Sequence, residues 1–259
     1  FHTRSENNES SYDEQRTGFA LRTGFPLAEN LRQRVTYTLN NTRIENVPAT
    51  ASRFIREQEG DRITSMIGQE ITYDRRDSRR LPTDGYVLRL STDLAGLGGD
   101  AKFFRVRTGG SVYFPLGSPE WVLSLLGEVG AIAAIDDGVA ITDRFFLGGD
   151  TMRGFKTSGI GPRDLTTSEN DALGGNYFAR TSLELAFPLG LPEELGLKGH
   201  AFTDAGSLWD NDATPLPSET FVDDSSIRLA VGAGVSWKSP LGPLRVDLVG
   251  HLDVLAKHL

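Results

Sequence analysis

From Ile227 to Lys238 the chain alternates with a period of two. Ile227, Leu229, Val231, Ala233, Val235 and Trp237 are apolar, whereas Arg228, Ala230, Gly232, Gly234, Ser236 and Lys238 are small or charged. Successive side chains of an extended strand point to opposite faces, so these residues make a strand with one greasy face and one small or polar face; a helix would scatter them around its circumference. The tight turn SPLG follows, and then Leu244, Val246, Leu248, Leu252 and Val254 oppose Arg245, Asp247, His251 and Asp253. Upstream, Tyr177, Ala179, Leu183, Leu185 and Phe187 oppose Arg180, Ser182 and Glu184. The same reading places strands near 18–27, 30–46, 62–75, 85–95, 102–116, 120–134, 175–187, 197–209, 227–238 and 243–254, about ten in all. The chain is all-β, with residues 1–17 read as a loop.

Two architectures accept this alternation. A soluble sandwich or barrel buries the apolar face, whereas a transmembrane barrel turns it to lipid and keeps the polar face inside. Phe25, Tyr73, Tyr86, Phe114, Trp121, Phe187, Trp209 and Trp237 all stand close to strand ends, as rings at a headgroup girdle would. Short Pro/Gly turns alternate with longer polar loops at 46–61, 136–174 and 210–226, the asymmetry of an outer-membrane barrel. Gly127, Gly130, Gly232 and Gly234 inside strands point to curvature and close contacts. A mean hydropathy of −0.28 does not oppose a membrane location, because only alternate residues of such a strand face lipid. No linker divides the chain, and residues 1–259 are read as one barrel domain.

Composition removes other classes. A net charge of −8 without a Lys/Arg-rich block argues against a nucleic-acid partner. The absence of cysteine excludes disulfides and thiolate metal sites. FHTRSENNES carries no secretion-signal pattern. GGDTMRG lacks the Lys-Ser/Thr ending of a phosphate cradle and opens no predicted helix. Asp210, Asn211, Asp212, Asp223 and Asp224, like Asp136 and Asp137, offer oxygens a calcium ion could use, and suit hydrated loops equally. His200 and His251, the latter near Asp253, could face the lumen, but no nucleophile motif accompanies them. No catalytic residue, enzyme activity, metal or cofactor is expected.

Residues 145–162, FFLGGDTMRGFKTSGIGP, lie in the longest loop. Glycine and aromatic content argues against disorder there, and a loop of that length within a compact domain is usually functional. DRFFLGGDTMRGF, GIGPRD, GGNYFARTSLELAFPLGLPEELGLKGHAFTDAGSLWD, SIRLAVGAGVSWKSPLGPLRVDL and the upstream YDRRDSRRLPTDGY together resemble the BamA family of outer-membrane assembly factors, in a style close to its alphaproteobacterial members, from about Ile63 to Leu248.

The resemblance implies a sixteen-stranded antiparallel transmembrane β-barrel in the bacterial outer membrane, preceded by POTRA domains. This chain would be part of its C-terminal barrel, with the seam strands and the POTRA domains expected outside it. The implied activity is folding and insertion of other outer-membrane β-barrels, through a weak seam that templates incoming strands. The implied partners are unfolded outer-membrane proteins, assembly-machinery lipoproteins and outer-membrane lipids. Within the long loop, about 136–174, Met152, Arg153, Gly154 and Phe155 match the family's lumen motif, and Arg153 would meet Glu184 and Asp204 on the wall. Parity independently puts Glu184 on the polar face of its strand; Asp204 shares with His200 and Phe202 a face that is only partly polar. Gly148, Gly149 and Gly154 would permit positive φ, and Phe145, Phe146 and Phe155 would anchor the tip. A two-partner secretion or TamA-like transporter, and an open porin, are the competing readings.

Overall fold

The computed structural model describes residues 1–253 except 119, 137, 240 and 241. Its strands are β1 (His2–Asn7), β2 (Tyr12–Ala28), β3 (Leu31–Glu45), β4 (Gly60–Asp74), β5 (Gly85–Gly99), β6 (Phe103–Pro115), β7 (Val122–Ala134), β8 (Arg163–Asp164), β9 (Tyr177–Pro188), β10 (Leu197–Trp209), β11 (Phe221–Val222), β12 (Arg228–Ser239) and β13 (Gly242–Asp253). Eleven of them form one antiparallel sheet in the order β1-β2-β3-β4-β5-β6-β7-β9-β10-β12-β13, each strand pairing with the next member of the sheet along the chain. The short β8 and β11 pair separately, within the loops.

Two expectations need correction. The chain starts in a strand, not a loop: His2–Asn7 pairs with Tyr12–Thr17, and β2 begins well before residue 18. HTRSEN has no alternation, so its strand character comes from the backbone ladder and leaves no trace in side-chain periodicity. Gly127, expected in a close contact, faces open space, whereas Gly130 and Gly232 do leave room for the rings of Phe178 and Phe202. The expected last strand reached Val254, which lies outside the described residues.

The period of two becomes an outside and an inside. Phe19, Leu21, Leu90, Leu94, Leu125, Val129, Leu183, Val231 and Val235 are exposed on one face, with Val246 at 72% and Leu248 at 81%. Among the described residues no helix is long and apolar enough to cross a membrane, and this strand-built belt is the lipid-facing surface of a barrel. The other face carries charges in cross-strand pairs: Arg34 with Glu70 at 3.4 Å, Arg105 with Asp93 at 2.8 Å and Arg180 with Glu128 at 2.5 Å. At the short-turn end, Tyr73 and Tyr86 lie 5.9 Å apart and Trp121 stacks on Phe187 at 5.7 Å. Trp209 stacks on Tyr177 at the opposite end. Both positions suit interfacial girdles.

The sheet curls around one loop, residues 135–176. Ala172 donates its N–H to Glu9 O, beside β1, while Gly154 comes against Val249 of β13. The main apolar core is therefore inside the curl: Ala95, Phe103 and Ile132 of the wall enclose Phe145, Leu147, Met152 and Ile160 of the loop. A second cluster, Tyr12, Ile44, Ile55, Ile141 and Leu173, closes the long-loop end.

Candidate functional site

The loop leaves β7 and returns to β9 through a neck in which Phe145 and Gly175 exchange two backbone hydrogen bonds of 3.0 Å. Above it, Leu147 bridges Ile160, and the Thr151 hydroxyl donates to Gly148 O at 2.7 Å. Gly148 has φ 128° and Gly154 φ 84°. A Cβ on Gly148 would collide with the Lys156 carbonyl, and one on Gly154 would lie 2.7 Å from Val249 Cγ1. Glycine is therefore demanded twice over, by conformation and by space. Met152 is 2% exposed, wedged toward Gly206, and Phe155 faces the ring of His251 at 5.3 Å. Phe145 packs edge-on against Phe178, and Phe146 joins the closing cluster.

This scaffold presents Arg153 to the inner wall. Its Nε and Nη2 donate to the two oxygens of Asp204 at 2.7 and 2.6 Å, Nη1 donates to Glu184 Oε2 at 2.8 Å, and Nη2 also reaches Ser182 Oγ at 2.9 Å. Asp204 is thus held by the guanidinium fork, and Glu184 by its free corner. Asp204 sits opposite Ser182 in the β9–β10 register, with Glu184 opposite Phe202 two residues along, so neighbouring inward positions of two strands supply every acceptor. Phe202 underlies the guanidinium, its ring centroid 3.4 Å from Cζ. Every member of the sequence-predicted set, Met152, Arg153, Gly154, Phe155, Gly148, Gly149, Glu184 and Asp204, lies in the loop or on the wall it touches.

Sequence reasoning missed the second half of the cluster. Arg245 of β13 donates to Glu184 Oε1 and Oε2 at 3.1 and 2.8 Å and through Nε to Asp247 at 2.9 and 3.1 Å. Asp247 in turn pairs with His200 Nε2, whose side chain is 2% exposed. His200 and Asp247 meet across β12 because the residue between them in register is Gly234, where a Cβ would sit 2.7 Å from His200 Nε2. Alternation had already put Arg245 and Asp247 on the polar face; that face of β13 was the available signal. The other acidic candidates serve the loops: Asp223 accepts the Asp210 N–H, Asp212 accepts from Asn176 Nδ2, Asp224 accepts the Ser226 N–H and Asp136 pairs with Lys102. Burial pushes the Asp223 carboxyl above the usual carboxylate range. Asp137 and the side chain of Asp253 lie outside the described residues.

The sequence profile of the Omp85 superfamily domain matches residues 1–250. The chain belongs to the Omp85 superfamily. Similar Omp85-type relatives include the outer membrane protein assembly factor BamA of Neorickettsia risticii, 36% identical over 229 residues, covering 88% of this chain and 30% of that protein. A SAM50-like protein of Schizosaccharomyces pombe is 33% identical over 73% of this chain and 41% of its own length. The human sorting and assembly machinery component 50 homolog is 33% identical over 61% of this chain and 34% of its own. In fold, the chain is similar to the crystal structure of BamA from Haemophilus ducreyi lacking POTRA domains 1–3, with a TM-score of 0.82 and 23% identity over 98% of this chain and 54% of that one. This Omp85 chain therefore spans roughly a third of the length of these curated relatives.

Proposed function

We propose that this chain is the barrel and lumen-loop portion of an insertase of the bacterial outer membrane, which folds and inserts other β-barrel proteins without making or breaking covalent bonds. The observation that carries the reading is the clasp of Arg153 by Asp204 and Glu184, which fixes a long loop inside the barrel. Support comes from relatives named as assembly factors in bacteria and as sorting and assembly components in eukaryotes. Unfolded outer-membrane proteins are the substrates in this reading, assembly-machinery lipoproteins the helpers and outer-membrane lipids the medium. The part played by this region is to keep the lumen loop seated while client strands are templated elsewhere on the barrel by backbone pairing. Depleting cells of the full-length protein tests it: the levels of all outer-membrane barrels fall together, and undisturbed levels refute the proposal.

A passive porin needs an open lumen, and the cluster of Phe145, Leu147, Met152 and Ile160 packs the loop into part of this one. Single-channel recordings on the full-length protein separate the two. The insertase reading expects a small conductance that rises when Arg153→Ala releases the loop; a large conductance indifferent to that change supports the porin.

A further inference from the structure

Glu184 is held more completely by Arg245 than by Arg153. Arg245 engages both carboxylate oxygens, whereas Arg153 touches Oε2 alone and reserves its fork for Asp204. The two arginines also share Phe202, whose ring centre lies 3.4 Å from Cζ of Arg153 and 5.7 Å from that of Arg245. Arg245 is in turn steered by Asp247, two residues along its own strand, and Asp247 is backed by buried His200. The chain of contacts runs His200, Asp247, Arg245, Glu184, Arg153, from β10 through β13 to β9 and on to the loop.

Without Arg245, the Arg153 guanidinium would serve Glu184 and Asp204 together, while Asp247 kept its pairing with His200. Glu184 would keep a single partner and regain rotamer freedom, and the like charges nearby would drive it from the position Arg153 needs. An acceptor held in place before the loop arrives costs less to order than one that must be captured.

We infer that Arg245 is a positioning residue that presents Glu184 to Arg153 and thereby makes the seating of the lumen loop depend on the placement of β13. This rests on the loop clasp being a working part, and it adds a regulatory link: displacing β13 loosens the loop.

The chain has no cysteine of its own, which allows a direct test in the full-length protein with any other cysteine replaced. The sulfur of Met152 lies 2.9 Å from where a Cβ on residue 206 would stand, so Met152→Cys with Gly206→Cys reports loop seating by disulfide yield. In membranes free of client protein, yield falls several-fold with Arg245→Gln, falls less with Arg245→Lys, and stays at the parent level with Arg34→Gln on the far wall. Unchanged or increased yield with Arg245→Gln overturns the inference. If Arg245→Gln does not reach the heat-modifiable folded form, Arg245→Lys decides: reduced yield supports the inference and full yield overturns it. Lost cross-linking alongside normal client insertion supports the role of Arg245 and refutes instead the proposed use of the clasp.

Discussion

Phe202 sits beneath Arg153 with its ring centroid 3.4 Å from the guanidinium carbon, while Phe202 itself is only 5% exposed. An aromatic face in contact with a partly desolvated cation adds about 1 kcal/mol beyond its packing. Phe202→Leu keeps most of the apolar volume and removes the π face. The expected result is a loss of about 1 kcal/mol in urea unfolding of the detergent-solubilised protein, vanishing when Arg153→Ala is already present.

Arg153→Ala leaves Asp204, with a side chain 8% exposed, beside Glu184 and without its principal cation. Breaking such a pair one-sidedly costs about 3 kcal/mol, so this variant should be the most destabilised of the loop set. Arg153→Lys retains the charge but cannot reproduce the fork onto Asp204 with a separate arm to Glu184, and should recover about half of that loss. Equal stability of the lysine variant and the parent would show that charge alone holds the loop.

Gly148 and Gly127 make opposite predictions for the same substitution. Gly148→Ala forces a left-handed backbone and a clash with the Lys156 carbonyl, at a cost of about 2 kcal/mol and with protease sensitivity appearing in residues 145–162. A Cβ on Gly127 meets nothing within 4 Å, so Gly127→Ala stays within about 0.5 kcal/mol of the parent.

Acid should loosen the β4–β5 connection late. The Asp77 carboxylate accepts the Thr83 hydroxyl at 2.6 Å and backbone N–H groups of Ser78, Thr83 and Asp84, which lower its pKa to about 2. A depressed carboxyl contributes stability above its unfolded value of about 4 and loses it as pH falls toward about 2. Protection of the Thr83 and Asp84 amides from hydrogen exchange should persist at pH 5 and decline between about pH 4 and 2, and Asp77→Asn should flatten that profile.

The strand positions and the facing of Glu184, Arg245 and Asp247 were legible because a barrel wall converts a two-residue period directly into lumen and lipid faces. The contact between Arg153 and its two carboxylates came from the resemblance, since partners 31 and 51 residues away along the chain leave no periodic trace. Arg245 escaped notice because its reach to Glu184 crosses two intervening strands, a distance that only the curvature of the wall shortens. His200 read as an ordinary lumen residue; the glycine that lets it meet Asp247 was visible as Gly234, but its register was not. The strand at His2–Asn7 was illegible because nothing in its side chains depends on which face it shows.

Strands β7 and β9 are hydrogen-bonded neighbours from Val122↔Ala186 to Ala131↔Tyr177 although residues 135–176 intervene. The wall passes beneath this excursion as if it were absent, with the neck pinched shut at Phe145 and Gly175. Joining those two staves closes the longest chain segment in the sheet and is the step most delayed by loop entropy. A preassembled loop shortens that gap. Docking the tip first and zipping the staves afterward would make the plug a foreman for the cylinder that later encloses it.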